Sequence, residues 1–184
     1  MALIGLGLAE AHLRRGDFEL AIDVLTRVER APGVRFAAET RVKAAVELGL
    51  IHALRGDLDA ATRWLDDARR RLARADELRL VHAATLSLAE AIVLCRAKRR
   101  DEAARLLERD WSKLEAALPA ATMRRAWLVR ALCASGDPMR GSVEPALTIL
   151  RAGRRGDLDW MAGRWPELET FLVAYDLGAS SAAG

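Results

Sequence analysis

Leu48–Leu65 reads LGLIHALRGDLDAATRWL, and the fold turns on it. Leu48, Ile51 and Leu54 recur at helical spacing with small Gly49 and Ala53 between them. After Arg55-Gly56-Asp57 a second helical stripe begins, carrying Leu58, Ala61 and Leu65. A glycine just past a helix end supplies the left-handed residue that closes it. An aspartate beside it accepts N–H groups opening the next helix. The stretch therefore predicts two antiparallel helices joined by a very tight turn.

The same phrase stands 40 residues earlier, where Leu8–Leu25 reads LAEAHLRRGDFELAIDVL. Laid over one another, Leu8 meets Leu48, Ala9 meets Gly49 and His12 meets His52. Gly16-Asp17 falls on Gly56-Asp57, Phe18 on Leu58, Ala21 on Ala61, Leu25 on Leu65 and Val28 on Ala68. Small and large residues recur in matching places, as two closely packed helices require. This pattern of Leu, small residue, ring, Gly-Asp, Ala and large apolar residue resembles the tetratricopeptide repeat (TPR). The spacing of 40 exceeds the common repeat length of about 34, and longer repeats of this kind resemble those in the sensor regions of some large bacterial signalling proteins.

Composition agrees with an all-α protein. Hydrophobic residues make up 52% and charged residues 30%, which excludes both a disordered chain and a membrane-embedded one. Runs of Val, Ile and Thr are few and strict alternation is absent, so strands are not expected. The net charge of +3 is small beside 29 basic and 26 acidic side chains of interspersed sign, and no nucleic-acid partner is expected. Only Lys43, Lys98 and Lys113 among the basic residues are lysines; arginine stems cover apolar surface and pair with carboxylates. The short clusters Arg69-Arg70-Arg71 and Lys98-Arg99-Arg100 sit at helix ends beside Asp66, Asp67, Asp101 and Glu102, which reads as capping and surface pairing. The opening MALIGLGLAEAHL has no basic leader and its apolar run stops at Glu10, so neither a signal peptide nor a membrane span is expected. Cys95 and Cys133 lie in apolar helical patterns without CxxC spacing, which predicts buried, reduced thiols and a cytoplasmic location.

Along the chain, hairpins are expected over 2–33, 34–75, 76–118 and 119–153, with a cap over 154–177. The whole of 1–177 is expected to form one TPR-like α-solenoid of about four antiparallel helical hairpins, ending in a C-terminal capping helix near Pro166–Asp176. Pro32-Gly33 closes the first hairpin. Lys98-Arg99-Arg100 in the third contains no glycine and predicts a longer or irregular connection. Gly136-Asp137 repeats the earlier turns, after which Pro138, Gly141 and Pro145 lengthen the link. Gly156-Asp157 and Trp165-Pro166 open two short helices, and Gly178–Gly184 reads as a frayed, flexible tail over 178–184. At the other end Leu3, Ile4, Leu6 and Leu8 surround the first helix with apolar surface. Either further repeats precede it or it forms a homo-oligomer seam with a second copy.

Catalytic chemistry is thin. His12 and His52 occupy the place where the family carries a packed tyrosine, so the resemblance assigns them to packing. His82 stands alone, and no HExxH or Cys/His cluster exists, so no metal site is expected. Arg15-Gly16-Asp17, Arg55-Gly56-Asp57 and Arg155-Gly156-Asp157 spell an adhesion tripeptide, but their repetition at helix–helix turns marks them as turn chemistry. Gly5-Leu6-Gly7 lacks the strand and the third glycine of a dinucleotide loop, and no serine sits in a GxSxG elbow. No catalytic residue and no cofactor are expected: the protein is read as not an enzyme.

The resemblance implies instead a curved array whose first helices line a concave groove. Leu6, Glu10 and Leu13 in the first unit and Lys43, Glu47 and Leu50 in the second are the candidate lining. Glu90 in the third and Met123, Trp127 and Arg130 in the fourth complete it. Such a surface suits a peptide or partner helix anchored by an aromatic and oriented by charge. The alternative is a regulatory region that self-associates or binds a small ligand to control a fused effector.

Overall fold

Apolar residues three and four apart are buried by winding into helices that share their stripes. The computed structural model describes residues 2–31, 37–74, 79–135, 143–152, 161 and 164–177. Among them stand nine helices and no strand. They are α1 (Ala2–Arg15), α2 (Phe18–Arg30), α3 (Ala37–Arg55), α4 (Leu58–Ala73), α5 (Arg79–Arg96), α6 (Arg100–Ala117), α7 (Ala120–Ala134), α8 (Glu144–Ala152) and α9 (Pro166–Ala174). The expected Pro32-Gly33 stop, the Gly136-Asp137 turn with Pro138 and Gly141, the Gly156-Asp157 helix start and the tail 178–184 lie outside the described residues.

Each helix from α1 to α7 packs on the next in sequence, and α1, α3, α5 and α7 also pack successively on one another. Small residues set the close approaches. Ala21, Ala61 and Ala103 are all fully buried at matching points of α2, α4 and α6. A methyl group added to Gly49 would meet Leu65 Cδ2 at 2.5 Å, Leu65 Cγ at 2.8 Å and the Ala61 carbonyl oxygen at 3.3 Å. Leu25, Leu65 and Leu107 fill the next layer and are buried in turn. Each such side chain withdraws enough apolar surface to stabilise the fold by about 1.5–3 kcal/mol.

The turns share one geometry. The Asp17 N–H donates to the His12 carbonyl at 2.9 Å and the Gly16 N–H to Leu13 at 3.0 Å; Asp57 to His52 and Gly56 to Ala53 repeat both distances. Nested bonds of this kind define a Schellman close, and Gly16 and Gly56 take the left-handed position at φ 80° and 85°. The expectation of an irregular link after α5 is corrected here. Arg99 donates to Leu94 at 2.9 Å and Lys98 to Cys95 at 3.0 Å, the same close, with Lys98 itself left-handed at φ 61°. The packing of α5 on α6 imposes the conformation, and the lysine bears its steric cost.

Ion pairs tie neighbouring hairpins together. Arg71 reaches Glu29 at 2.6 Å from α4 to α2, and Arg55 reaches Glu19 at 2.7 Å. Arg69 joins Asp66 and Glu90, Arg70 joins Asp67 and Arg99 joins Glu102, so Arg69, Arg70, Arg71 and Arg99 of the basic clusters meet carboxylates.

The segment around α9 packs back on earlier helices. Trp165, Leu168, Phe171 and Leu172 are buried in the same core as α1–α3. Arg96 lies 3.7 Å from Glu167, stacks 5.8 Å from the Trp165 ring and donates to the Ala53 carbonyl at 3.0 Å. Arg164 stacks 5.2 Å from the Phe18 ring. The C-terminal segment thus crosses the turn ends and reaches the first hairpin. Ile4 (71% exposed) and Leu8 (47%) on α1 and Leu20 (52%) on α2 leave large apolar side chains facing solvent. No helix among the described residues is long and apolar enough to cross a membrane.

Candidate functional site

Helices α1, α3, α5 and α7 each present one face to a common hollow. The cavity between them holds about 300 Å³, the small end of the roughly 300–1,000 Å³ range of ligand sites. Helix α1 contributes Leu6, Glu10, Leu13 and Arg14, and α3 contributes Glu39, Lys43, Val46, Glu47 and Leu50. Val81, His82, Thr85, Leu88, Ala89 and Ile92 come from α5, and Thr122 and Arg125 from α7, with Pro119 just before it. All six groove candidates of the first two units therefore meet in one wall. Their spacing explains it: Leu6, Glu10 and Leu13 share one stripe, as do Lys43, Glu47 and Leu50.

The four candidates of the later units, Glu90, Met123, Trp127 and Arg130, do not line this cavity. Glu90 points toward α4, where Arg69 holds it. Met123 packs beside the core. Trp127 meets Trp111 of α6 edge-on, with ring centroids 4.6 Å apart, and Arg130 stacks 4.4 Å from Trp111 and 5.3 Å from Trp127. The aromatic anchor is satisfied within the protein by α6, as edge-to-face pairs and cation–π stacks prefer.

Charge in the cavity is mixed and arranged. Burial pushes the Glu47 carboxyl above its ordinary range, Glu10 adds to the push, and Arg125 and Lys43 oppose it. Glu10 is paired with Arg14 at 2.9 Å, and His82 Nε2 lies 3.3 Å from Glu39. Acids and bases thus share the lining with apolar Leu6, Leu13, Leu50, Leu88 and Ile92. A half-buried carboxyl of raised pKa beside two cations binds polar groups well.

His12 and His52 stand away from the hollow, at the turns. Their Nδ1 atoms lie 3.7 Å from Asp17 and 3.5 Å from Asp57. Burial lowers the His52 pKa although Asp57 pulls it upward. The Asp57 carboxyl is held below its usual value chiefly because its Oδ1 accepts the Ala60 N–H at 3.0 Å. Asp17 makes no such cap bond. Among the described residues no three His, Cys, Asp or Glu side chains stand together as a metal would need.

Sequence reasoning missed His82, Thr85, Ile92 and Arg125. A signal for the α5 wall existed: Ala61 and Ala103 are 42 apart, and the same step from Lys43, Glu47 and Leu50 lands on Thr85, Ala89 and Ile92. Comparison with family models, with curated proteins and with solved structures returned no match to this chain.

Proposed function

We propose that the chain is a TPR-like α-solenoid of about four hairpins acting as a non-catalytic, cytoplasmic protein-interaction scaffold. The successive packing of α1, α3, α5 and α7 supports the solenoid reading. The observation that carries the function is the cavity those four helices line, with its aliphatic floor and rim of both charge signs. A hollow of about 300 Å³ takes the anchor side chains of an extended peptide, while Glu10 and Lys43 at its exposed edge orient the partner's charges.

The test is selection of peptides from a displayed library on the immobilised protein, followed by affinity measurement. Recovered peptides lose at least about tenfold in affinity for a Glu10→Lys, Lys43→Glu double variant. They keep their affinity for Trp127→Ala. Absence of enrichment, or equal binding to the charge-reversed variant, removes the proposed site.

The exposed apolar side chains Ile4, Leu8 and Leu20 favour a second reading, a regulatory region that self-associates through its first hairpin. Light scattering then gives a dimer or larger species that Ile4→Glu with Leu8→Glu converts to monomer. A wild-type monomer at high concentration ends that reading.

A further inference from the structure

We propose that Cys95 of α5 and Cys133 of α7 form a dithiol site that hydrogen peroxide converts to an intramolecular disulfide, locking two walls of the cavity together. The two sulfur atoms lie 3.0 Å apart. A further approach of about 1 Å gives the bond length of about 2.05 Å found in disulfides. Sequence spacing hides this pair, because 38 residues separate the two cysteines and no motif links them. Packing of α5 on α7 brings them together.

The surroundings choose the oxidant. Cys95 is 5% exposed and Cys133 1%, so a bulky disulfide such as oxidised glutathione has no room to form its mixed intermediate. A small uncharged peroxide enters through the ordinary breathing of packed helices. With Cys95 as hydrogen-bond donor, the Cys133 thiol is held below its ordinary range against the push of burial. The same hydrogen bond, then burial, drive the Cys95 thiol upward. The positive charge of Arg100, at the start of α6, favours the thiolate of both.

The chemistry balances. The Cys133 thiolate attacks one peroxide oxygen, the O–O bond breaks, and hydroxide leaves to take up the proton lost from Cys133. Cys95 then attacks the sulfur of the resulting sulfenic acid. The S–O bond breaks, the S–S bond forms, and water leaves carrying the Cys95 proton. Two thiols give up two electrons and two protons, and one peroxide becomes two waters.

The consequence falls on the hollow. Ile92 lies one turn before Cys95, and Arg125 two turns before Cys133, and both line the cavity. The bridge fixes the separation of α5 and α7 at this end. It also shortens the unfolded chain's reach, which raises the midpoint of thermal unfolding.

The experiment exposes the purified protein to hydrogen peroxide, quenches with catalase, denatures, alkylates and measures mass. The expected product has lost about 2 Da, takes up no alkyl group, and yields one Cys95–Cys133 cross-linked peptide that a phosphine reductant dissolves. Its thermal midpoint rises and returns on reduction. Cys95→Ser and Cys133→Ser each gain oxygen or dimerise and never show that loss. Two alkylated thiols after exposure, sulfinic acid on either cysteine without a bridge, or a bridge only between molecules overturns the proposal. The wild-type readout stands whether or not either variant folds.

Discussion

The second and third hairpins close with the same backbone and different residues. Between α3 and α4 the left-handed position belongs to Gly56, while between α5 and α6 it belongs to Lys98. Nested hydrogen bonds of equal length hold both. The glycine is therefore a convenience of the turn rather than its cause. What dictates the close is the pair of buried stripes on either side, represented by Leu65 against α3 and Leu107 against α5. A sequence reader relying on glycine finds two turns and misjudges the third.

The strongest way to break that equivalence is in the stripes. Leu65→Ala and Leu107→Ala should each cost about 2–5 kcal/mol in denaturant unfolding, since each leaves a cavity in a filled layer. A Leu107→Ala cost far below that of Leu65→Ala would show the third hairpin to be held by something else. Next comes the close approach of α3 to α4. Gly49→Ala should destabilise by about 1–3 kcal/mol through the clash with Leu65 and the Ala61 carbonyl. At the matching place of the first hairpin, Ala9→Gly should cost about 1–2 kcal/mol, the loss of helix propensity plus one buried methyl group.

The third hairpin has its own polar lock. Asp110 of α6 is buried and accepts from Ser87 of α5 at 2.8 Å, Arg109 at 2.9 Å and Lys113 at 3.0 Å. Those partners, Arg109 first, hold its carboxyl well below the usual range against the cost of burial. A folded-state pKa below the unfolded one means that the contribution is whole above about pH 4 and is lost as pH falls through the folded value. Asp110→Asn should cost about 1–3 kcal/mol at neutral pH. Wild type and variant should converge in strong acid when melting is followed by circular dichroism.

Smaller effects compare the turns directly. Gly56→Ala should lose about 1–2 kcal/mol, and Lys98→Gly should gain up to about 1 kcal/mol by relieving the same strain. Unequal signs of this kind would establish that packing imposes the turn; equal losses would sink the idea. Smallest of all, Asp57→Ala should lower the melting midpoint more than Asp17→Ala, because only Asp57 accepts a helix N–H. The difference should disappear below the usual carboxylate range, where Asp57 is protonated.

Much of the helical layout was legible because burial leaves a period in the sequence. The repeat at 40 gave the pairing of α1 with α2 and of α3 with α4, and it gave six cavity residues through their shared stripes. The later units were read less well for two physical reasons. A one-residue error in register rotates a helical position by about 100°, which carries Ala89 of the wall to Glu90 beside Arg69. Trp127 drew attention as a large aromatic, yet no periodicity announces that Trp111 and Arg130 occupy its faces. The Cys95–Cys133 contact was illegible for the same reason, since it depends on the packing of α5 on α7 rather than on either helix alone.

The Arg164 guanidinium over the Phe18 ring has a bearing on how the molecule is born. Hairpins can fold in order as they leave the ribosome, each settling on its predecessor. The clasp at Phe18 must wait for residues synthesised long after it, so the nascent chain spends that interval with an aromatic edge incompletely covered. Surfaces left open in this way are where chaperones take hold.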